Sequence, residues 1–212
     1  MRLLIAVPVY DTMRAEFVQS LTALMERLHK DGVPYEVKII TGTLIYTARD
    51  ALCRHAINNF FTDVLWLDCD MVFSDSIFED LSMCGKDIVC GSFISRHNPY
   101  LPTIFSSLTP EVNRITERPD ETFRIAGCGF ACVLTKTVVL RDVMINNNGT
   151  CFLPTGKFSE DLAFCQRATN MGYELWCEPT ARVGHVGPVT IWPEDGERLR
   201  GDIQGLEGKT LN

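Results

Sequence analysis

Short apolar runs and helical stripes take turns along this chain. Residues 3–9 (LLIAVPV) form a continuous apolar run that breaks at Tyr10-Asp11. A run of this length reads as a buried strand. Met13, Phe17, Leu21, Leu24 and Leu28 then recur at spacings of four, four, three and four, the stripe of an amphipathic helix. Asp11 or Thr12 is placed to cap that helix, and Asp31-Gly32 ends it. Residues 35–41 predict a second strand, 46–61 a second helix, and 64–67 (VLWL) a third, buried strand. Ser74 is placed to cap a short helix carrying Ile77, Phe78 and Leu81, and 87–93 predicts a fourth strand.

An order of β-α-β-α-β-α-β favours a mainly parallel sheet with right-handed crossovers. In such sheets ligands bind beyond the carboxyl ends of the strands. Asp68-Cys69-Asp70 follows the third strand, where that rule puts a site. After residue 95 the texture changes. Residues 102–106, 112–116 and 122–126 read as short antiparallel strands. Gly127-Cys128-Gly129-Phe130 leads to an apolar run and a helix near 136–144, and residues 146–149 (NNNG) form a turn. Ser159 is placed to cap a helix reaching about residue 170, with Gly172 just past its end. A strand at 173–177 follows. From Gly184 onward glycine, proline and charge dominate, and the expectation there is a mobile loop and a poorly ordered end. With no repeat and no long linker, 1–212 is expected to be one domain. Its parts would be 1–95, 96–187 and a loop and tail at 188–212.

Composition narrows the function. The 212 residues are 46% hydrophobic and 22% charged, with net charge -7. That acidic balance argues against nucleic acid as a partner. The nine cysteines include no CxxC pair, and several lie in apolar runs. They read as reduced, buried thiols, which suits a cytoplasmic location and argues against structural zinc. The N-terminal run is too short to span a membrane and lacks a small-residue cleavage site.

Five segments carry candidate chemistry. Asp68 and Asp70 lie two apart, so on extended backbone both carboxylates face one side while Cys69 turns to the core. Such a pair is either a solvated acidic turn or a cation site, and Mg²⁺ or Mn²⁺ held by one or two carboxylates and substrate phosphates fits the second. Glu160 and Asp161 open a helix, where acids suit the dipole and where one could accept a proton. The positive helix end would weaken that base, and a neighbouring carboxylate or partial burial would restore it. His185 lies in a Gly-His-Val-Gly stretch as a possible metal ligand or a surface loop residue. Gly129 allows close backbone approach to a ligand or to another strand. Arg49 reads as a diphosphate clamp or a residue that orders a loop, and equally as an exposed helix residue.

These segments, in this order, resemble the GT-A glycosyltransferases, especially GT2-like members and small ones from bacteriophages and large DNA viruses. Residues 6–10 (AVPVY) are similar to the opening segment whose backbone and aromatic contact the nucleotide base, which implies roles for Pro8, Val9 and Tyr10. Thr47-Ala48-Arg49-Asp50 resembles an ARN-type segment. Leu67-Asp68-Cys69-Asp70 resembles the DxD motif, Gly127–Phe130 the GxGF segment, and Ser159-Glu160-Asp161 the ED motif that supplies the base. His185 resembles the late histidine that completes metal binding. The resemblance spans about residues 1–187. It implies a single-domain α/β fold with a Rossmann-like, mainly parallel sheet. It implies a nucleotide-diphosphate sugar, UDP- or GDP-linked, as donor and a glycan or other hydroxyl as acceptor. Mn²⁺ or Mg²⁺ would be held by Asp68, Asp70 and His185, with Asp161 as base of an inverting transfer. Residues 186–200, with Trp192, would close over the donor.

One departure stands out. The acidic segment that many such members carry after the second strand is replaced by Ile40-Thr41-Gly42-Thr43. Base recognition is then expected from backbone groups or from Asp50. Two rival readings remain. A sugar-1-phosphate nucleotidyltransferase would carry a glycine-rich, arginine-containing loop after the first strand, where this chain reads Val7-Pro8-Val9-Tyr10-Asp11. A non-catalytic nucleotide-sugar- or carbohydrate-binding domain would need neither paired carboxylates nor a base.

Overall fold

Side chains that alternate in direction along the strands, and period-3.6 stripes on the helices, sort the apolar residues onto two faces of one sheet. The computed structural model describes residues 1–96, 99–117, 119–187, 190–193 and 195, with 190 and 191 as backbone only. The chain begins β1 (Leu3–Pro8), α1 (Ala15–Lys30), β2 (Tyr35–Ile40), α2 (Ile45–Asn58), β3 (Asp63–Leu67), β4 (Met71–Phe73), α3 (Ile77–Ser82) and β5 (Ile88–Ser92). It continues with β6 (Ile104–Ser107), β7 (Asn113–Arg114), β8 (Phe123–Ile125), β9 (Gly127–Cys128) and β10 (Cys132–Lys136). Last come α4 (Thr137–Asn146), α5 (Glu160–Asn170), β11 (Leu175–Val186) and β12 (Thr190–Ile191).

The main sheet runs β12-β11-β5-β10-β3-β1-β2. β2, β1 and β3 are parallel, β10 is inserted antiparallel between β3 and β5, and β11 runs parallel to β5. Leu4, Ala6, Trp66, Cys90 and Val133 pack with α2, α4 and α5 on one face. Leu3, Ile5, Val7, Leu65 and Val89 pack with α1 and α3 on the other. Strands covered on both faces read as unbroken apolar runs, which is why β1 and β3 were visible in the sequence. The product is a single mixed α/β domain with a mostly parallel sheet, consistent with the expected Rossmann-like GT-A fold. Trp66 is fully buried, and its Nε1–H donates to Thr135 Oγ1 at 3.0 Å, so the largest core side chain leaves no polar atom unpaired.

Several local expectations are corrected. Neither Asp11 nor Thr12 caps α1, which starts at Ala15 behind Arg14 with no side-chain cap. The Arg14 N–H instead donates to the Cys69 carbonyl at 3.1 Å and ties the β1–α1 loop to the 68–70 turn. Ser76, not Ser74, stands at the start of α3. Ser159 does precede α5, but its hydroxyl makes no cap hydrogen bond. β4 was not expected, being only three residues long. β11 runs through Val186 instead of stopping at 177, because it absorbs Pro179 and Gly184 with a register shift between Glu178 and Arg182. His185 is therefore a strand residue, not a loop residue. All nine cysteines are free thiols, seven of them buried. Among the described residues no helix is long and apolar enough to cross a membrane.

Candidate active site

The carboxyl ends of β1 and β3, the start of α2, the start of α5 and the end of β11 converge on one region. Asp68 leaves β3 with its N–H donating to the Ala131 carbonyl at 3.0 Å. Two residues on, β4 pairs antiparallel with β11 and sets Met71 opposite His185. The Val186 N–H donates to the Asp70 carbonyl at 2.8 Å, which fixes the turn against the strand.

Arg49 is the centre of this arrangement. It is 1% exposed and lies against the neighbouring rings of Phe130 and Phe152, whose centroids are 5.6 and 5.7 Å from its guanidinium carbon. It donates to Asp68 at 3.1 Å, to Glu160 at 3.2 Å and, most closely, to Asp161. Burial opposes its charge, but Asp161 and Asp68 outweigh that and raise its pKa. Two sequence readings of Arg49, the exposed helix residue and the diphosphate clamp, are corrected. It is neither an exposed helix residue nor a guanidinium open to a diphosphate, because three carboxylates occupy it. A buried cation requires such partners.

The carboxylates respond unequally. Burial pushes Asp68 up to about 6; Arg49 pulls it down, while Asp161 and Asp70 push it further up. Glu160 is raised by burial and by its neighbour Asp161, against the pull of Arg49. Asp161 has both oxygens engaged: one by Arg49, the other by the Phe130 N–H at 3.2 Å. That backbone donor had no signal in the sequence. Burial would raise Asp70 too, but His185 and Arg96 together hold it below the usual carboxylate range.

The expected metal trio is only partly assembled. Among the described residues no group of three or more His, Cys, Asp or Glu converges as a cation cage. Asp68 turns to Arg49, while Asp70 Oδ2 and His185 Nε2 approach to 3.4 Å. The His185 Nδ1 lies 3.0 Å from the Ile94 carbonyl, so Nδ1 carries a proton and donates. Its Nε2 faces Asp70 while the other ring nitrogen is hydrogen-bonded to a backbone carbonyl, the arrangement found in metal-ligating histidines. One carboxylate and one imidazole, completed by substrate phosphates, fit Mn²⁺ or Mg²⁺. Arg96 also donates to Asp70 Oδ2, at 2.6 Å. No motif marked Arg96, a lone arginine after β5.

The remaining candidates divide. Pro8 and Val9 are buried at the end of β1, where the Val9 N–H donates to the Ile40 carbonyl. Tyr10 is 76% exposed just beyond them. Asp50 is corrected: it is buried, and its Oδ1 accepts from the N–H groups of Cys151 at 2.7 Å and Phe152 at 2.9 Å. It anchors the loop before α5 and has no free face for a base. Gly129 is corrected too, since a Cβ there would meet Phe93 at 3.0 Å and Thr103 at 3.4 Å. Its missing side chain serves packing within the chain. Most of the expected lid at 186–200, and the tail beyond it, lie outside the described residues. Trp192 is described, and its ring carries the Arg182 guanidinium at 5.4 Å.

No protein-family model and no curated relative matches this sequence. Among solved structures it is similar to A197 from STIV, with TM-score 0.66 and 16% identity over 92% of this chain and 91% of that one. At that identity the likeness speaks of fold alone. Looser likenesses are to a Bacillus anthracis protein assigned as a glucose-1-phosphate thymidylyltransferase, solved with sucrose (TM-score 0.48, 9% identity, 99% and 96% covered). Another is to a variant of a Drosophila β1,4-galactosyltransferase 7, solved with manganese, UDP-Gal and xylobiose (TM-score 0.47, 10% identity, 84% and 65% covered). Neither of these two weighs on function here.

Proposed function

We propose that this chain is a metal-dependent glycosyltransferase that moves a sugar from a nucleotide-diphosphate donor, UDP- or GDP-linked, to an acceptor hydroxyl. The observation that carries the reading is the convergence on Arg49. Asp68, Glu160 and Asp161 come from segments about ninety residues apart, and one buried cation gathers them beside the Asp70–His185 pair. Residues 1–95 would form the nucleotide half and 96–187 the acceptor half.

In this proposal Asp70 and His185 hold Mn²⁺ or Mg²⁺. The ion, when bound, offsets negative charge on the departing diphosphate. The backbone at 8–10, with the exposed Tyr10, offers contacts to the base. Glu160 is the better proton acceptor of the ED pair. Its pKa is raised, as a base working near neutrality requires, whereas Asp161 is committed to Arg49 and to Phe130 N–H. The base role that the resemblance gives to Asp161 passes to Glu160, and Asp161 raises and orients it. A base placed opposite the leaving group gives inversion.

The test is binding and hydrolysis of a panel of nucleotide sugars, with Mn²⁺, Mg²⁺ or EDTA, on wild type, Asp70→Ala and Glu160→Gln. The expected result is metal-dependent binding of one donor, lost in Asp70→Ala. Glu160→Gln should keep binding and lose turnover at least a hundredfold, the usual weight of a general base. No metal-dependent binding of any donor would end this reading. Consumption of a nucleoside triphosphate with a sugar 1-phosphate would replace it with the nucleotidyltransferase.

A further inference from the structure

Asp70 Oδ2 has two nitrogens on it. His185 Nε2 lies at 3.4 Å and Arg96 Nη1 at 2.6 Å, and the same Nη1 reaches the Val186 carbonyl at 3.4 Å. Arg96 thus occupies Oδ2, the carboxylate oxygen that faces His185 and that a cation held between Asp70 and His185 would take. Its situation differs from that of Arg49. Arg49 is sealed in the core with three carboxylates, while the Arg96 side chain is 35% exposed and sits on a loop after β5. One arginine is built in; the other can leave.

The balance of charge points the same way. Asp68, Asp70, Glu160 and Asp161 face Arg49 and Arg96, which leaves two negative charges uncompensated by arginine. If a divalent cation joined while Arg96 stayed, two cations would share one carboxylate oxygen, and like charges at that range repel. If Arg96 left, the cation would take over the charge it had balanced, and the freed guanidinium would remain at the rim of the site, suited in shape to a phosphate.

We propose that Arg96 is an internal competitor for the metal position. It neutralises Asp70 when no metal is bound, and a divalent cation must displace it. The inference rests on the Asp70–His185 reading above and adds that metal affinity is set as much by Arg96 as by the ligands themselves.

The experiment is Mn²⁺ alone, titrated calorimetrically into the wild type, Arg96→Gln, and Arg96→Gln combined with Asp70→Asn, with no nucleotide present. Thermal unfolding of each variant checks folding. Arg96→Gln should bind Mn²⁺ about fivefold more tightly than wild type, the size expected for losing one competing, partly exposed ion pair. Arg96→Lys, which keeps the charge but not the planar fork, should fall between them. The double variant should lose the gain, locating it at Asp70. Wild type that binds Mn²⁺ with Arg96→Gln no tighter would overturn the competition and leave the metal site standing. No Mn²⁺ binding by any of the proteins would overturn both.

Discussion

At the scale of the residue, Arg49 decides most. Replacing a buried cation leaves its carboxylate partners without compensation, and breaking buried pairs in this way costs about 3–5 kcal/mol. Arg49→Met keeps the volume against Phe130 and Phe152 and removes only the charge and donors. Urea unfolding should show a loss of that size, with a smaller one for Arg49→Lys. An unchanged midpoint in Arg49→Met would mean that desolvation cancels the ion pairs. The sequence marked positions 49 and 50 as special but misassigned both. A motif shows that a charged side chain is wanted, not whether it faces solvent or core. Asp68, Asp70 and His185 stood out as candidates because an acid pair and a histidine beside glycines are chemically conspicuous, but only the structure shows that Asp68 turns to Arg49. Arg96 was not, since one arginine in a loop has no pattern, and its meaning comes only from Asp70 lying beside it.

At the scale of the element, β11 shows how far a pattern reaches. The alternation of strands and helices over the first half was legible in periodicity alone. The reversed insertion of β10 was not, because burial patterns do not encode strand direction. β11 was cut short in the sequence reading at 177, where Glu178-Pro179-Thr180 looks like a turn. Glu178 instead fills the irregularity in the strand. Its carboxylate accepts from the Thr180 N–H at 2.9 Å and hydroxyl at 2.6 Å, from the Thr122 hydroxyl, and from the Cys84 thiol at 3.3 Å. Burial alone would raise its pKa, but the Thr122 and Thr180 hydrogen bonds win and hold it below the ordinary value of 4.5. A depressed folded pKa means that the unfolded chain binds the proton more readily. The stabilisation is therefore complete above the ordinary carboxylate range and disappears as pH falls through the folded value. Glu178→Gln should flatten the acid side of a stability–pH curve while lowering stability at pH 7. An acid limb that stays as steep in the variant would assign it to other carboxylates.

At the scale of the molecule, the sheet and the site have different needs. The sheet buries apolar side chains on both faces, so its order depends on nothing but the chain itself. The site gathers four carboxylates against two arginines at one edge, so that edge is left with excess negative charge that a divalent cation would relieve. A ligand that binds only the folded chain stabilises it by mass action, by about 2.7 kcal/mol at a hundred times its dissociation constant. For a chain of this size that corresponds to a melting-temperature rise of about 5–10 °C. Mn²⁺ should therefore raise the melting temperature of the wild type, growing with the logarithm of its concentration above saturation, and EDTA should reverse it. In Asp70→Ala the rise should vanish, and the metal-free protein should melt close to the wild type, because the pair it breaks reaches out to the partly exposed Arg96. An equal rise in both proteins would place the ion elsewhere on this acidic chain. No rise in either would mean that Arg49 and Arg96 already suffice for the acidic edge, and would count against the proposed metal site.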